Sequence, residues 1–187
     1  MHVRARNSSS AGAPALNSVR PRRRYITIRH WRYGKMYDIM SYMINVFIIE
    51  DHAIVRDGLK DLFSSVDGYK IVGEAENGIE AIENIKAIKD TPPHVIILDM
   101  NLPIMHGADV IKELKPLVPG SKIIVLTGIM DVNRIADAIR RGASGVVMKP
   151  TPFSELKEAI VSILKGGLYF SPSISKQVIK QLSSQEA

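Results

Sequence analysis

The sequence predicts an α/β fold in which a parallel sheet is covered by helices on both faces. Three observations carry this. From residue 44 onward, short runs rich in Val and Ile alternate with amphipathic stretches. The runs at 45–49, 94–98 and 122–127 are almost continuously apolar, as strands buried on both faces must be. Turn formers stand at the joins: Asn77-Gly78, Pro92-Pro93, Pro119-Gly120 and Gly142.

Taken in order, the strand candidates are 45–49, 69–75, 94–98, 122–127 and 145–148. Helix candidates follow at 52–65, 78–89, 106–117, 131–141 and 153–165. In the first helix, Val55, Leu59, Leu62 and Phe63 recur at helical spacing and form the predicted core stripe. That phase places Arg56, Lys60 and Asp61 outward. Five strand-helix units in series call for a parallel sheet with helices on both sides.

Residues 1–24 are rich in Ser, Ala, Pro and Arg without periodicity and read as disordered. Residues 25–42 mix aromatics with Arg and show no apolar face. The domain expectation is therefore a basic extension over 1–43, a folded domain over 44–166 and a linker-like tail over 167–187. The formal net charge of +6 divides unevenly: residues 1–43 hold nine Lys/Arg and one acid, residues 44–187 hold 16 basic and 18 acidic side chains. The folded part thus has no positive excess for neutralising a nucleic-acid backbone, and only the extension could bind one as a basic arm. The 187 residues include no cysteine, which removes disulfides and thiolate chemistry and fits a cytoplasmic location. No apolar run approaches membrane-spanning length, so no membrane partner is expected.

In open α/β sheets, ligands bind beyond the carboxyl ends of the strands. Glu50 and Asp51 follow the first apolar run, Asp99 the third, Thr127 ends the fourth and Lys149 follows the fifth. One strand-helix-strand unit takes roughly 30 residues, so these spacings put all five side chains on one sheet edge. Singly, each has an ordinary reading: Asp51 as a helix cap, Glu50 as a solvated strand end, Asp99 as a turn residue. Together they suit phosphoryl chemistry. Crowded carboxylates demand a cation, and oxygen ligands of this kind suit Mg²⁺. An Asp can be the nucleophile, with a lysine and a hydroxyl on the transferring group. His52, His94 and His106 lack metal-ligand spacing and read as structural or solvent-facing.

Ile48-Ile49-Glu50-Asp51-His52 resembles the acidic-pair motif of response-regulator receivers of two-component systems. The stretch from Asp99 through Pro103 to Gly107 is similar to their phospho-acceptor loop. Ile124-Val125-Leu126-Thr127 and Val147-Met148-Lys149-Pro150 match the two remaining positions. Val55-Arg56-Asp57-Gly58-Leu59, Glu74-Ala75-Glu76-Asn77-Gly78, Arg141-Gly142-Ala143-Ser144-Gly145 and Gly166-Gly167-Leu168-Tyr169-Phe170-Ser171-Pro172 resemble receivers of LuxR/FixJ/NarL-type transcriptional regulators. Only 15 residues follow Pro172, too few for a helix-turn-helix output domain. The chain reads as a truncated regulator or a stand-alone receiver.

The resemblance implies a flavodoxin-like (βα)5 sandwich with sheet order 2-1-3-4-5. It implies a signalling domain rather than an enzyme, with Asp99 taking a phosphoryl group from a sensor histidine kinase or phosphotransfer protein. Glu50, Asp51, Asp99 and the backbone carbonyl of Asn101 would hold Mg²⁺. Lys149 would pair with the acyl phosphate, and Thr127 would report its presence. A homodimer is one implied assembly; DNA enters only through an output domain in a longer protein. The position where the family usually carries an aromatic switch is Val146, so ring rotation is not expected. Two alternatives are a haloacid-dehalogenase-type phosphatase, which would need an Asp-x-Asp where Glu50-Asp51 stands, and nucleic-acid binding through the basic extension.

Overall fold

The computed structural model describes residues 28–32, 35–39 and 43–176. The disorder expected over 1–24 and the last part of the tail, 177–187, lie outside these residues. β1 (Ile28–Arg32) and β2 (Lys35–Ile39) form a separate antiparallel sheet, with Ile28 opposite Ile39 and Arg32 opposite Lys35.

The domain that follows alternates strands and helices: β3 (Ile44–Ile49), α1 (Ala53–Ser64), β4 (Tyr69–Ala75), α2 (Gly78–Ala87), β5 (Val95–Asp99), α3 (Gly107–Leu117), β6 (Lys122–Thr127), α4 (Val132–Arg140), β7 (Gly145–Met148), α5 (Phe153–Leu164) and β8 (Tyr169–Phe170). The parallel sheet runs β4-β3-β5-β6-β7-β8. Its first five strands keep the order 2-1-3-4-5, and β8 adds a sixth strand within the stretch expected to be a linker. α5 ends where Gly166 takes φ +91, a conformation open to glycine, and the chain turns back to lie along β7.

Alternating strand residues feed two cores. Phe47, Ile49, Ile96, Leu98, Ile123, Val125 and Val146 pack with α2, α3 and α4. Val46, Ile48, Val95, Ile97, Ile124 and Val147 pack with α1 and α5 on the other face. There Phe63 meets Phe153 edge-on at 5.0 Å and Tyr69 at 5.3 Å. Both faces being covered explains the near-continuous apolar runs.

The core stripe of α1 differs from the expectation. Arg56 is buried, whereas Val55 and Leu62 are exposed. A buried guanidinium requires partners, and Arg56 has them: Nη1 donates to the Glu50 carbonyl at 2.7 Å and Nη2 to Glu76 Oε1 at 2.8 Å. These partners come from other segments, so helical spacing alone assigns Arg56 to the wrong side.

Candidate functional site

Sheet register brings the strand ends together. Ile49 pairs with Leu98, which sets Glu50 level with Asp99; Asp99 pairs with Leu126, and Thr127 with Met148. The Glu50 amide donates to Ala75 O at 3.1 Å and the Lys149 amide to Thr127 O at 2.7 Å, so the chain holds strand geometry up to the site. The Lys149–Pro150 peptide is cis.

Glu50 and Asp99 are almost sealed from solvent, 1% and 3% exposed. The Lys149 ammonium lies between them, 2.5 Å from Glu50 Oε2 and 3.2 Å from Asp99 Oδ1. Asp51 is partly exposed, yet its Oδ1 is shielded, with the His52 ring Nδ1 2.9 Å away as its near polar neighbour. It does not cap α1, whose cap position is His52. Ligand atoms of Glu50, Asp51, His52 and Asp99 all lie within 4.8 Å of one another. Three carboxylates crowded this closely, two of them buried, are what an oxygen-preferring divalent cation relieves, and the set fits Mg²⁺.

His52 joins this cluster, which its sequence spacing did not announce. It is exposed, and its Nδ1 stands 3.1 Å from Glu50 Oε1 and 2.9 Å from Asp51 Oδ1. The Glu50 hydrogen bond, then the Asp51 charge, hold its pKa above the ordinary 6.5. The other two histidines stay outside: His94 accepts from the Asn45 amide at 2.9 Å, and His106 is the cap position of α3. Arg56 is a second contributor the sequence did not reveal, since it grips the carbonyl of Glu50 itself.

Asn101 is exposed two residues beyond Asp99, in the loop leading to α3. That loop is tightly constrained. Ile104, a β-branched residue, takes φ 70, and a Cβ on Gly107 would meet Met100 Cα at 3.0 Å and Asp99 O at 3.1 Å. Glycine at 107 lets α3 start directly against the chain leaving Asp99. The buried Thr127 hydroxyl donates to Ile129 O at 2.9 Å and accepts from the Ile129 amide at 3.2 Å, so it is turned into its own loop. Val146 is fully buried, and Phe170 of β8 lies beside it in register.

Residues 46–161 match a family profile described as the response regulator receiver domain. The chemotaxis protein CheY of Thermotoga maritima is 37% identical over 120 residues, 64% of this chain and 97% of that protein. The transcriptional regulatory protein LnrK of Bacillus subtilis is 29% identical over 139 residues, 74% of this chain and 62% of that protein. A two-component response regulator of the LuxR family from Aurantimonas sp. superposes with a TM-score of 0.68 at 28% identity, covering 74% of this chain and 97% of that one. The chain spans about three-fifths of the length of the transcriptional regulators it matches. Neither the phosphatase nor the nucleic-acid-binding alternative is favoured by these matches. No helix among the described residues is long and apolar enough to cross a membrane.

Proposed function

Because the chain belongs to the response regulator receiver family, we propose that it is a phosphoryl-accepting switch with Asp99 as the nucleophile. The observation that carries this is the buried Asp99 carboxylate, 3.2 Å from the Lys149 ammonium and clustered with Glu50 and Asp51. An Asp99 oxygen forms the new bond to phosphorus as the donor's nitrogen–phosphorus bond breaks. The donor is a phosphohistidine on a sensor kinase or phosphotransfer protein. Lys149 stabilises charge on the transferred group beside two carboxylates that are almost sealed from solvent. Glu50, Asp51, Asp99 and the Asn101 carbonyl are the groups that would hold Mg²⁺, which when bound neutralises phosphoryl oxygens.

Thr127 reports the new group. Its hydroxyl leaves the Ile129 carbonyl and donates to a phosphoryl oxygen, which moves the loop ahead of α4. Coupling reaches the surface without an aromatic ring at Val146. Partner affinity then shifts only as far as the two states differ in their contacts. The pathway output is transcriptional control, exercised through a DNA-reading domain in a longer protein, and a second copy of the chain is a further partner. The domain catalyses its own phosphorylation and dephosphorylation and turns over no other substrate; it acts in the cytoplasm.

The test is incubation with acetyl phosphate and Mg²⁺ followed by intact-mass measurement. The expected result is one phosphoryl adduct on the native chain, none on Asp99→Ala and none with EDTA. An unmodified native chain, or equal labelling of Asp99→Ala, refutes the proposal.

A further inference from the structure

Resting on that reading of Asp99, we propose that Ser171 is a positioning residue for phosphoryl transfer, acting through the end of β7 on Lys149. The β7–β8 ladder is built from backbone bonds until its last rung. Tyr169 N donates to Ser144 O at 3.2 Å and Ser171 N to Val146 O at 3.0 Å. The next donor, the Met148 amide, finds no carbonyl opposite and is taken by the Ser171 hydroxyl oxygen at 2.9 Å. A side chain thus completes the strand one residue before Lys149.

The same hydroxyl donates to Glu155 Oε1 at 2.7 Å, and the other oxygen of that carboxylate accepts from Thr151 Oγ1 at 3.0 Å. Glu155 therefore fixes both sides of the Lys149–Pro150 link, Met148 through Ser171 and Thr151 directly. Ser171 is buried, and Ile174, three residues on, is fully enclosed in the core that α2, α3 and α4 cover. The tail beyond α5 is seated on the domain, with the Ser171 side chain directed at the strand end that carries the ammonium. A lysine side chain is flexible, and its placement between Glu50 and Asp99 depends on where its backbone is held.

The experiment uses the full chain with acetyl phosphate and Mg²⁺, measuring the phosphorylation rate at saturating donor and, separately, Mg²⁺ affinity by calorimetry. Ser171→Ala is expected to slow the rate about three- to tenfold, the scale one hydrogen bond commands. Mg²⁺ affinity should stay within about twofold, since the candidate ligands lie after β3 and at or just after the end of β5. Ser171→Thr, which keeps the hydroxyl, restores the rate. In a Lys149→Ala background, followed over longer times, Ser171→Ala has no further effect, whereas a general loosening of the fold would persist there. Glu155→Ala repeats both results and stands in if Ser171→Ala does not fold. A native rate for Ser171→Ala, no rescue by Thr, or an equal loss without Lys149 overturns the proposal. A native chain that takes no phosphoryl group overturns the Asp99 reading as well; one that is labelled on Asp99 yet indifferent to Ser171 overturns this inference alone.

Discussion

Replacing Lys149 by Met keeps an aliphatic stem of similar length and removes the one ammonium within 4.0 Å of Glu50 and Asp99 among the described residues. Removing one partner of a buried ion pair costs about 3–5 kcal/mol, because the remaining charge has lost both water and counter-ion. Lys149 keeps 24% of its side chain exposed, so solvent screens part of the loss. Glu50 also retains His52 at 3.1 Å. We therefore expect a loss of about 2–3 kcal/mol without divalent cation, or a Tm lower by about 6–12 °C. Mg²⁺ supplies the missing positive charge, so at about 10 mM the deficit should shrink below about 1 kcal/mol. Urea unfolding followed by circular dichroism, in EDTA and in Mg²⁺, measures both numbers. A variant as stable as the native chain in EDTA would show that Lys149 does not hold the carboxylates together. A deficit unchanged by Mg²⁺ would show that the cluster takes no cation.

Three further outcomes follow from local geometry. Ile104 is 79% exposed at φ 70, a left-handed conformation that costs a residue with a Cβ about 1–2 kcal/mol. Ile104→Gly should therefore stabilise by about 0.5–1 kcal/mol after glycine's own entropy is counted, and a loss in urea unfolding would contradict this. Phe63→Ala removes a fully buried ring packed on Phe153 and Tyr69 and should cost about 3–5 kcal/mol by the same assay; a loss under about 1 kcal/mol would mean the second core is loosely packed. Hydrogen bonding to Lys60, then its charge, lowers the Asp57 pKa below 3.8. Because the folded-state value is the lower one, the associated stability is present above pH 3.8 and fades as pH falls through the folded value. Asp57→Asn should flatten that part of an acid-unfolding profile, and an unaltered profile would argue against the Lys60 contact.

The sequence made the regular elements legible because both signals it offered are local. Apolar runs in a two-faced sheet and helical spacing between them located every element from β3 to α5 to within two residues at each end. The strand-end position of Glu50, Asp51, Asp99, Thr127 and Lys149 followed from the same alternation. What stayed hidden depends on partners distant in the chain. Arg56 is buried because the Glu50 carbonyl and Glu76 meet it, and neither lies at helical spacing from it. His52 enters the cluster through the turn between β3 and α1, not through a ligand motif. β8 is two residues long between Gly-Gly-Leu and Ser-Pro, and only the bare edge of β7 makes a strand of it.

That edge has a bearing on solubility. β7 reads Gly-Val-Val-Met with three of its four residues buried, an uncharged run suited to recruiting a strand from another molecule. Tyr169 and Ser171 occupy its outer hydrogen-bonding positions, and because β8 is only two residues long, it offers a stranger almost nothing to continue from. A chain clipped ahead of Tyr169 would lose Phe170 and Ile174 from one core and Tyr169 from the rim of the other, yet keep every strand and helix from β3 to α5 and expose a sticky ribbon. Its failure would be self-association of folded molecules, growing with concentration, rather than loss of the fold.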